Sequence, residues 1–435
     1  MSRKKLGFWT STSLVVGNMI GSGVFLLPAS LAAFGSISLL GWLLSAIGAA
    51  ALAFVFIELS KLLPAQSGGP YTYSRSGLGD FAGFLVAWGY WVSLWCTNAA
   101  IAVALVSYLG VFFPSLQENL VLSTTVGLAI IWLVVWINTL GIREAGLFQL
   151  VTSILKIGPL VAIGTIGLFF IDFDNFFPVN ISDSTNFGAV TAAASLTCFA
   201  YMGLECATIP AADVEDPART IPRATYFGLG ITALVYILGT TSLLGIIPAA
   251  ELRNSNAPFA DAAAIMWGGW AAYLVAAGAV ISTLGALNGW ILVQGQIPAA
   301  IAKDDLFPPL FGKLNRNGVP ALGIILSSVL ISVLMVMNYT KGLVGAFQFM
   351  LLLASMTALI AYLFTSAAYV VVSIRSQGLD HGTGIRLVIA LVAFLFSVWA
   401  IAGSGYEIVY WGFILLMAGI PIYVWMLIRK VNRDV

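Results

Sequence analysis

The chain has 435 residues, 60% of them hydrophobic and only 9% charged, with a net charge of +1 and a mean hydropathy of +0.99. Soluble proteins carry about 25% charged residues, so the composition excludes a soluble domain with one anchor and implies an integral membrane protein. The near-zero charge offers nothing to nucleic acid, and one histidine, His381, is too few for a metal cluster or a His-based catalytic set.

A spanning helix needs about 20 mostly apolar residues. Twelve such runs follow one another, at 8–34, 37–63, 81–113, 120–140, 148–171, 187–212, 224–247, 269–299, 320–338, 346–373, 385–403 and 408–428. No small-residue cleavage pattern follows Ser2-Arg3-Lys4-Lys5, so no cleavable signal peptide is expected. The first run is broken by Gly17-Asn18-Met19-Ile20-Gly21-Ser22-Gly23. Glycine costs about 1 kcal/mol relative to alanine inside a helix. Unpaired backbone groups in lipid cost several kcal/mol each, so an unwound stretch must face protein or a watery cavity. A half-helix restarting near Gly21-Ser22-Gly23 would aim free N–H groups and a positive dipole end at an anion such as a substrate carboxylate. Close packing through small residues is the alternative reading.

The second run ends near Glu58 and Lys61, read as interfacial, and the third carries Tyr90 and Asn98. The fifth holds Lys156 well inside its start, where snorkelling to the interface is the competing reading. The loop 172–185 that follows carries acidic but no basic residues. The sixth run breaks again at Cys198-Phe199-Ala200-Tyr201-Met202-Gly203-Leu204-Glu205. Its freed carbonyls would accept bonds from an α-ammonium group. Intramembrane charges are costly and mark function by default, so Glu205 and Lys156 are candidate proton or coupling groups; a carboxylate that only caps the unwound segment is the alternative for Glu205. A short amphipathic helix is expected over 251–266. Trp290 lies mid-way along the eighth run, Lys303-Asp304-Asp305 ends it, and Tyr362 lies on the tenth. Cys96, Cys198 and Cys206 all fall in apolar runs and read as buried thiols rather than a disulfide framework.

With the N-terminus in the cytoplasm and the runs alternating, every lysine and arginine except Arg253, Lys341 and the buried Lys156 falls inside, as the positive-inside rule requires. Paired interrupted helices in corresponding halves are the best sequence pointer to a transporter's substrate site. Breaks in the first and sixth runs fit five helices repeated in inverted orientation (1–171 and 187–373), followed by two further helices and a cytoplasmic C-terminus (385–435). The expected fold is therefore an all-α integral membrane protein of twelve transmembrane helices.

Three stretches carry a resemblance: Gly17 to Phe25, Gly68-Gly69-Pro70-Tyr71-Thr72-Tyr73-Ser74-Arg75 through Gly83-Phe84, and Glu215-Asp216-Pro217-Ala218-Arg219-Thr220-Ile221-Pro222. Together they resemble the signatures of the amino acid–polyamine–organocation (APC) transporter superfamily, nearest to the bacterial arginine/agmatine and related basic amino acid or polyamine antiporters. The resemblance implies the leucine-transporter-like five-plus-five fold with two extra helices, and no cofactor. It implies a substrate site built from Asn18, Met19, Gly21, Ser22 and Gly23 of the first break, Phe199, Ala200 and Met202 of the second, and Asn98 and Trp290. Phe199 and Ala200 stand where those antiporters usually have tryptophan and serine, so the aromatic face survives and a hydroxyl is lost. Trp290 matches a tryptophan that meets the cationic end of the substrate and gates it, though core packing is the plain alternative. Asn98 matches a polar pocket residue, against an ordinary interhelical hydrogen bond. Tyr90 and Tyr362 match inner-gate tyrosines, Glu205 a proton-sensing glutamate. Lys156 departs from the antiporters but matches a lysine of other sodium-independent members, where its ammonium replaces sodium. The reading is a sodium-independent carrier in the plasma membrane working by alternating access, alone or as a homodimer, exchanging a basic amino acid for a related amine or amino acid, with protons as a further partner open to it; a proton-coupled or exchanging carrier of neutral amino acids is the alternative. The polar residues gather mid-membrane, which argues against a continuous channel, and no nucleophile with an acid–base partner appears that would make an enzyme.

Overall fold

The computed structural model describes residues 6–21, 23–63, 69–141, 157–208, 214–377 and 381–434. Two residues singled out from the sequence, Ser22 and Lys156, lie outside the described residues. The helices, in order, are α1 (Phe8–Met19), α2 (Gly23–Ala32), α3 (Ser38–Leu62), α4 (Pro70–Leu78), α5 (Asp80–Leu109), α6 (Leu120–Thr139), α7 (Ile157–Phe170, its last turn a tighter 3₁₀ turn), α8 (Asn186–Cys198), α9 (Pro217–Ile246), α10 (Pro258–Trp267), α11 (Gly269–Lys303), α12 (Ala321–Asn338), α13 (Gly342–Gln377), α14 (His381–Gly403), α15 (Tyr406–Met417) and α16 (Ile420–Asp434). Apart from one isolated backbone bridge between Leu6 and Val214, the described residues hold no strand pairing.

Among the described residues, eight stretches are long and apolar enough to cross a membrane, or nine when the bent pair α1–α2 is taken as one span. The chain is a multi-pass membrane protein. The twelve expected runs and these eight stretches differ at identifiable places. The fifth run is described only from Ile157, leaving a short apolar helix, and the sixth is α-helical only to Cys198. α12 and α13 join into one apolar stretch across the turn Tyr339–Lys341, and α15 runs on into α16. The expected amphipathic element over 251–266 takes the form of α10, preceded by a single turn at Ala249–Leu252.

Burial grades these helices from centre to rim. The apolar window of α5 is 94% buried, against 28% for α6 and 22% for α14. α13 and α11 pack along α5, α8 lies against α3, and α1 against α9. In lipid the hydrophobic effect gives little preference between helix faces, so shape and buried hydrogen bonds decide which face turns inward. Trp42 illustrates this: its indole N–H donates to Thr240 Oγ1 at 3.0 Å, and its ring meets Tyr201 and Tyr236. Glu58 is buried to 7% exposure where α3 meets α14, held by Lys61 at 2.7 Å and Arg386 at 3.4 Å.

The two ends of α5 are closed by different chemistry. At its start, Arg75 of α4 donates to Asp80 at 2.7 Å and lies 3.1 Å from Asp304, just past α11. Tyr71 donates to Asp304 at 2.6 Å and accepts from Arg75 at 3.2 Å. Burial and the neighbouring Asp304 carboxylate push the Tyr71 hydroxyl above its usual range, so it stays neutral and donates. At the far end, Tyr108 donates to Phe25 O at 2.9 Å and accepts from Phe259 N at 3.3 Å. Phe25 stands edge-on to both rings, with centroids 5.6 Å and 5.8 Å away. This contact pins α10 over α2 and α5.

Candidate functional site

The first break comes where α1 runs out of hydrogen-bonding partners. Ile20 leaves the helix at φ −73°, ψ 80°, Gly21 N–H turns back to Met19 O at 2.8 Å, and α2 restarts at Gly23 with its axis bent 47° from α1. The second break follows α8. One 3₁₀ turn over Phe199–Tyr201 leads to Gly203 at φ +98°, a left-handed conformation that glycine adopts without strain, and a second tight turn covers Leu204–Ala207. The two breaks meet face to face. A Cβ at Gly23 would lie 2.4 Å from the Phe199 ring, so only glycine lets α2 start there. Tyr236 of α9 joins them from behind: its hydroxyl donates to Met19 O at 2.6 Å and stands 3.2 Å from Ala200 O.

Between the breaks lies a cavity of about 40 Å³. Asn18, Met19, Gly21, Gly23 and Val24 line it from the first segment, and Phe199, Ala200, Met202 and Gly203 from the second. Tyr90, Ser93, Leu94, Thr97 and Ile101 of α5 form a third wall, and Trp290 of α11 completes it. A single water needs roughly 10–15 Å³ of such space, so the cavity holds a few waters and the walls must part to admit an amino acid. Among the described residues, no carboxylate lines it.

Glu205 is fully buried beside the second break, and the structure brings two separately read tyrosines to it. Tyr90 donates to its Oε1 and Tyr362 to its Oε2, each at 2.8 Å. One carboxyl thus ties α5 and α13 to the unwound segment. A protonated carboxyl keeps one O–H donor in place of an acceptor, so loading a proton would release one of the two tyrosines or force its hydroxyl to turn.

Asn98 does not line the cavity. It is fully buried next to the wall, and its Nδ2 donates to Gln294 Oε1 at 2.7 Å. Asn18 lines the cavity but donates its own amide back to Leu14 O at 2.8 Å. Sequence reasoning missed Ser93, Thr97, Tyr236 and Gln294. The spacing Tyr90–Ser93–Leu94–Thr97–Ile101 is one helical face, and extending it from Tyr90 would have found the α5 wall. The Thr97 hydroxyl on that wall is buried without a partner among the described residues.

A family model described as "Amino acid permease" matches residues 6–427. Over 407 residues the chain is 33% identical to a cadaverine/lysine antiporter of Escherichia coli, covering 93% of this chain and 90% of that one. It is 32% identical over 421 residues to an arginine/ornithine antiporter of Pseudomonas aeruginosa, covering 93% and 87%. A putrescine transporter of Haemophilus influenzae is 31% identical over 422 residues, 96% of each chain.

Proposed function

The chain belongs to the amino acid permease family, and from that premise we propose that it is a sodium-independent carrier working by alternating access in the plasma membrane, exchanging a basic amino acid for a related amine or amino acid. The observation that carries this reading is the cavity lined by both broken segments. A zwitterion is complementary to such a place. The start of α2 offers N–H groups and a positive dipole end to a carboxylate, and the carbonyls freed at Met19 and Ala200 offer acceptors to an ammonium. Trp290 and Phe199 supply aromatic faces, and cation–π attraction in a desolvated site reaches about 2 kcal/mol. The activities named for the relatives point to basic substrates.

The frame proposed for this work is twelve helices, five of them (1–171) repeated in inverted orientation (187–373) and two added (385–435), with both termini in the cytoplasm. The breaks in the first and sixth segments and the distribution of lysine and arginine support it. Within it Tyr90 and Tyr362 are gate tyrosines, Glu205 the proton-linked group that holds them, and Lys156 a fixed cation in place of sodium. Asn18, Met19, Gly21, Ser22, Gly23, Ala200 and Met202 contact the substrate's backbone end, Phe199, Asn98 and Trp290 its side chain.

Purified protein in proteoliposomes tests the reading. Uptake of labelled lysine should saturate, should accelerate when lysine, ornithine or cadaverine is loaded inside, and should not change when sodium is replaced by potassium. Uptake that rises linearly without saturation, or that requires sodium, would overturn it. A second reading, exchange of neutral amino acids, is favoured by the largely apolar lining that Met19, Val24, Leu94, Ile101, Phe199 and Met202 give the cavity; leucine outcompeting lysine in the same assay would select it.

A further inference from the structure

A site for a basic side chain whose described lining holds no carboxylate needs another way to tell an ammonium from a methyl group. Asn98 on α5 and Gln294 on α11 are both fully buried, one step behind the wall. Asn98 sits between the lining residues Leu94 and Ile101, and Gln294 lies four residues past Trp290, about 6 Å of helix rise. Asn98 Nδ2 donates to Gln294 Oε1 at 2.7 Å, and Gln294 Nε2 donates to Ser328 Oγ of α12 at 3.1 Å. Close approach of α11 and α12 makes the second bond reachable: a Cβ on Gly295 would lie 2.4 Å from Ile324, and one on Gly323 3.0 Å from Gly295 O.

The direction of this relay is set at its far end. Ser328 gives its own hydroxyl proton to Ile324 O at 2.8 Å, so towards Gln294 its oxygen can only accept. Gln294 Nε2 also faces Ile324 O at 3.5 Å, and a carbonyl too can only accept. The NH₂ of Gln294 therefore turns to α12 and its oxygen to Asn98, which must answer with its own NH₂. Asn98 Oδ1 is left over, buried and without a partner among the described residues. A buried acceptor with no donor is costly, and a substrate donor arriving beside Trp290 would relieve it.

We propose that Gln294 is a positioning residue that commits Asn98 to presenting its carbonyl oxygen to the substrate, so that the site selects side chains ending in an ammonium over neutral ones of equal length. The proposal rests on the carrier reading above and deepens it. An uncharged acceptor together with the Trp290 face attracts the cation while leaving it free to depart, as turnover requires. The relay also names its opposite: with Gln294 removed, Asn98 is free to present either NH₂ or oxygen, and the preference disappears.

Competition by lysine and by its neutral isostere norleucine, measured as counterflow in proteoliposomes, reads this directly. Wild-type protein should favour lysine by about tenfold or more, the size of a hydrogen bond to a charged group. Gln294→Leu should bring the lysine-to-norleucine KM ratio close to one by weakening lysine alone, with the maximal rate for norleucine retained. Asn98→Leu should collapse the same KM ratio whatever it does to the maximal rates, and the double variant should shift that ratio no further, since the two act as one unit. An unchanged ratio in the variants, or an equal loss for both substrates, overturns the proposal and leaves the carrier reading standing. Absence of saturable exchange of either compound by the wild type overturns the carrier reading itself. Should Gln294→Leu fail to fold, Asn98→Leu carries the same comparison.

Discussion

The two ends of α5 do the same mechanical job with opposite materials. At its start, Tyr71, Arg75, Asp80 and Asp304 make a charged cluster whose side chains are about a third to nearly half exposed. At its end, Tyr108 is fully buried and bonded only to backbone groups of Phe25 and Phe259, with aromatic edges around it. Exposed ion pairs contribute about 0–1 kcal/mol and weaken in salt. A buried neutral hydroxyl that satisfies two backbone groups is indifferent to salt, and losing it strands both of them. The charged end can therefore be loosened by its surroundings, whereas the aromatic end yields only when helices move apart. Further along α5, Glu205 with Tyr90 and Tyr362 makes another tie between helices, through a fully buried carboxyl.

Three substitutions break or sharpen this contrast. Glu205→Leu should have the largest effect, because it takes from the hydroxyls of the buried Tyr362 and the half-buried Tyr90 the acceptor they share; a stability loss of about 2 kcal/mol or more is expected, together with loss of exchange. Thermal unfolding in detergent and counterflow would check it, and a transition within error of wild type would mean that the three residues are not mechanically joined. Tyr108→Phe comes next, at about 1–2 kcal/mol, with the same unfolding shift in low and high salt; a shift that vanished in salt would contradict the neutral closure. Asp304→Asn should cost less than about 1 kcal/mol and should be indistinguishable from wild type in 1 M salt, where the screening length falls to about 3 Å. A large, salt-independent loss would show that this cluster is a buried lock after all.

The breaks were legible because glycine and an acidic residue are expensive inside a lipid-spanning helix, and Gly21, Gly23, Gly203 and Glu205 stand out against their neighbours. Trp290 and Tyr90 were named from family signatures, and the structure puts both at one cavity. What stayed hidden is the set of partners. Glu205, Tyr90 and Tyr362 are far apart in the chain, and nothing in three apolar helices says which faces meet. Soluble helices announce their buried side by an amphipathic stripe; α5 is apolar nearly all round and carries almost no such signal. For the same reason Asn98 could be singled out while its capture by Gln294 could not. That bond joins α5 to α11, and its direction is set by the Gln294–Ser328 bond to α12, which two glycines on different helices bring within reach.

Tyr236 has a consequence for the resting molecule. A carrier that unwinds its helices inside lipid cannot leave the exposed carbonyls bare between cargoes, and here one phenol stands guard over Met19 O and Ala200 O. On the carrier reading proposed above, an incoming amine would compete with the neutral donors on these carbonyls through a charged bond roughly twice as strong, instead of filling a vacancy. The gain on docking is then only the difference between two occupants, which keeps the grip light and lets the passenger leave on the other side.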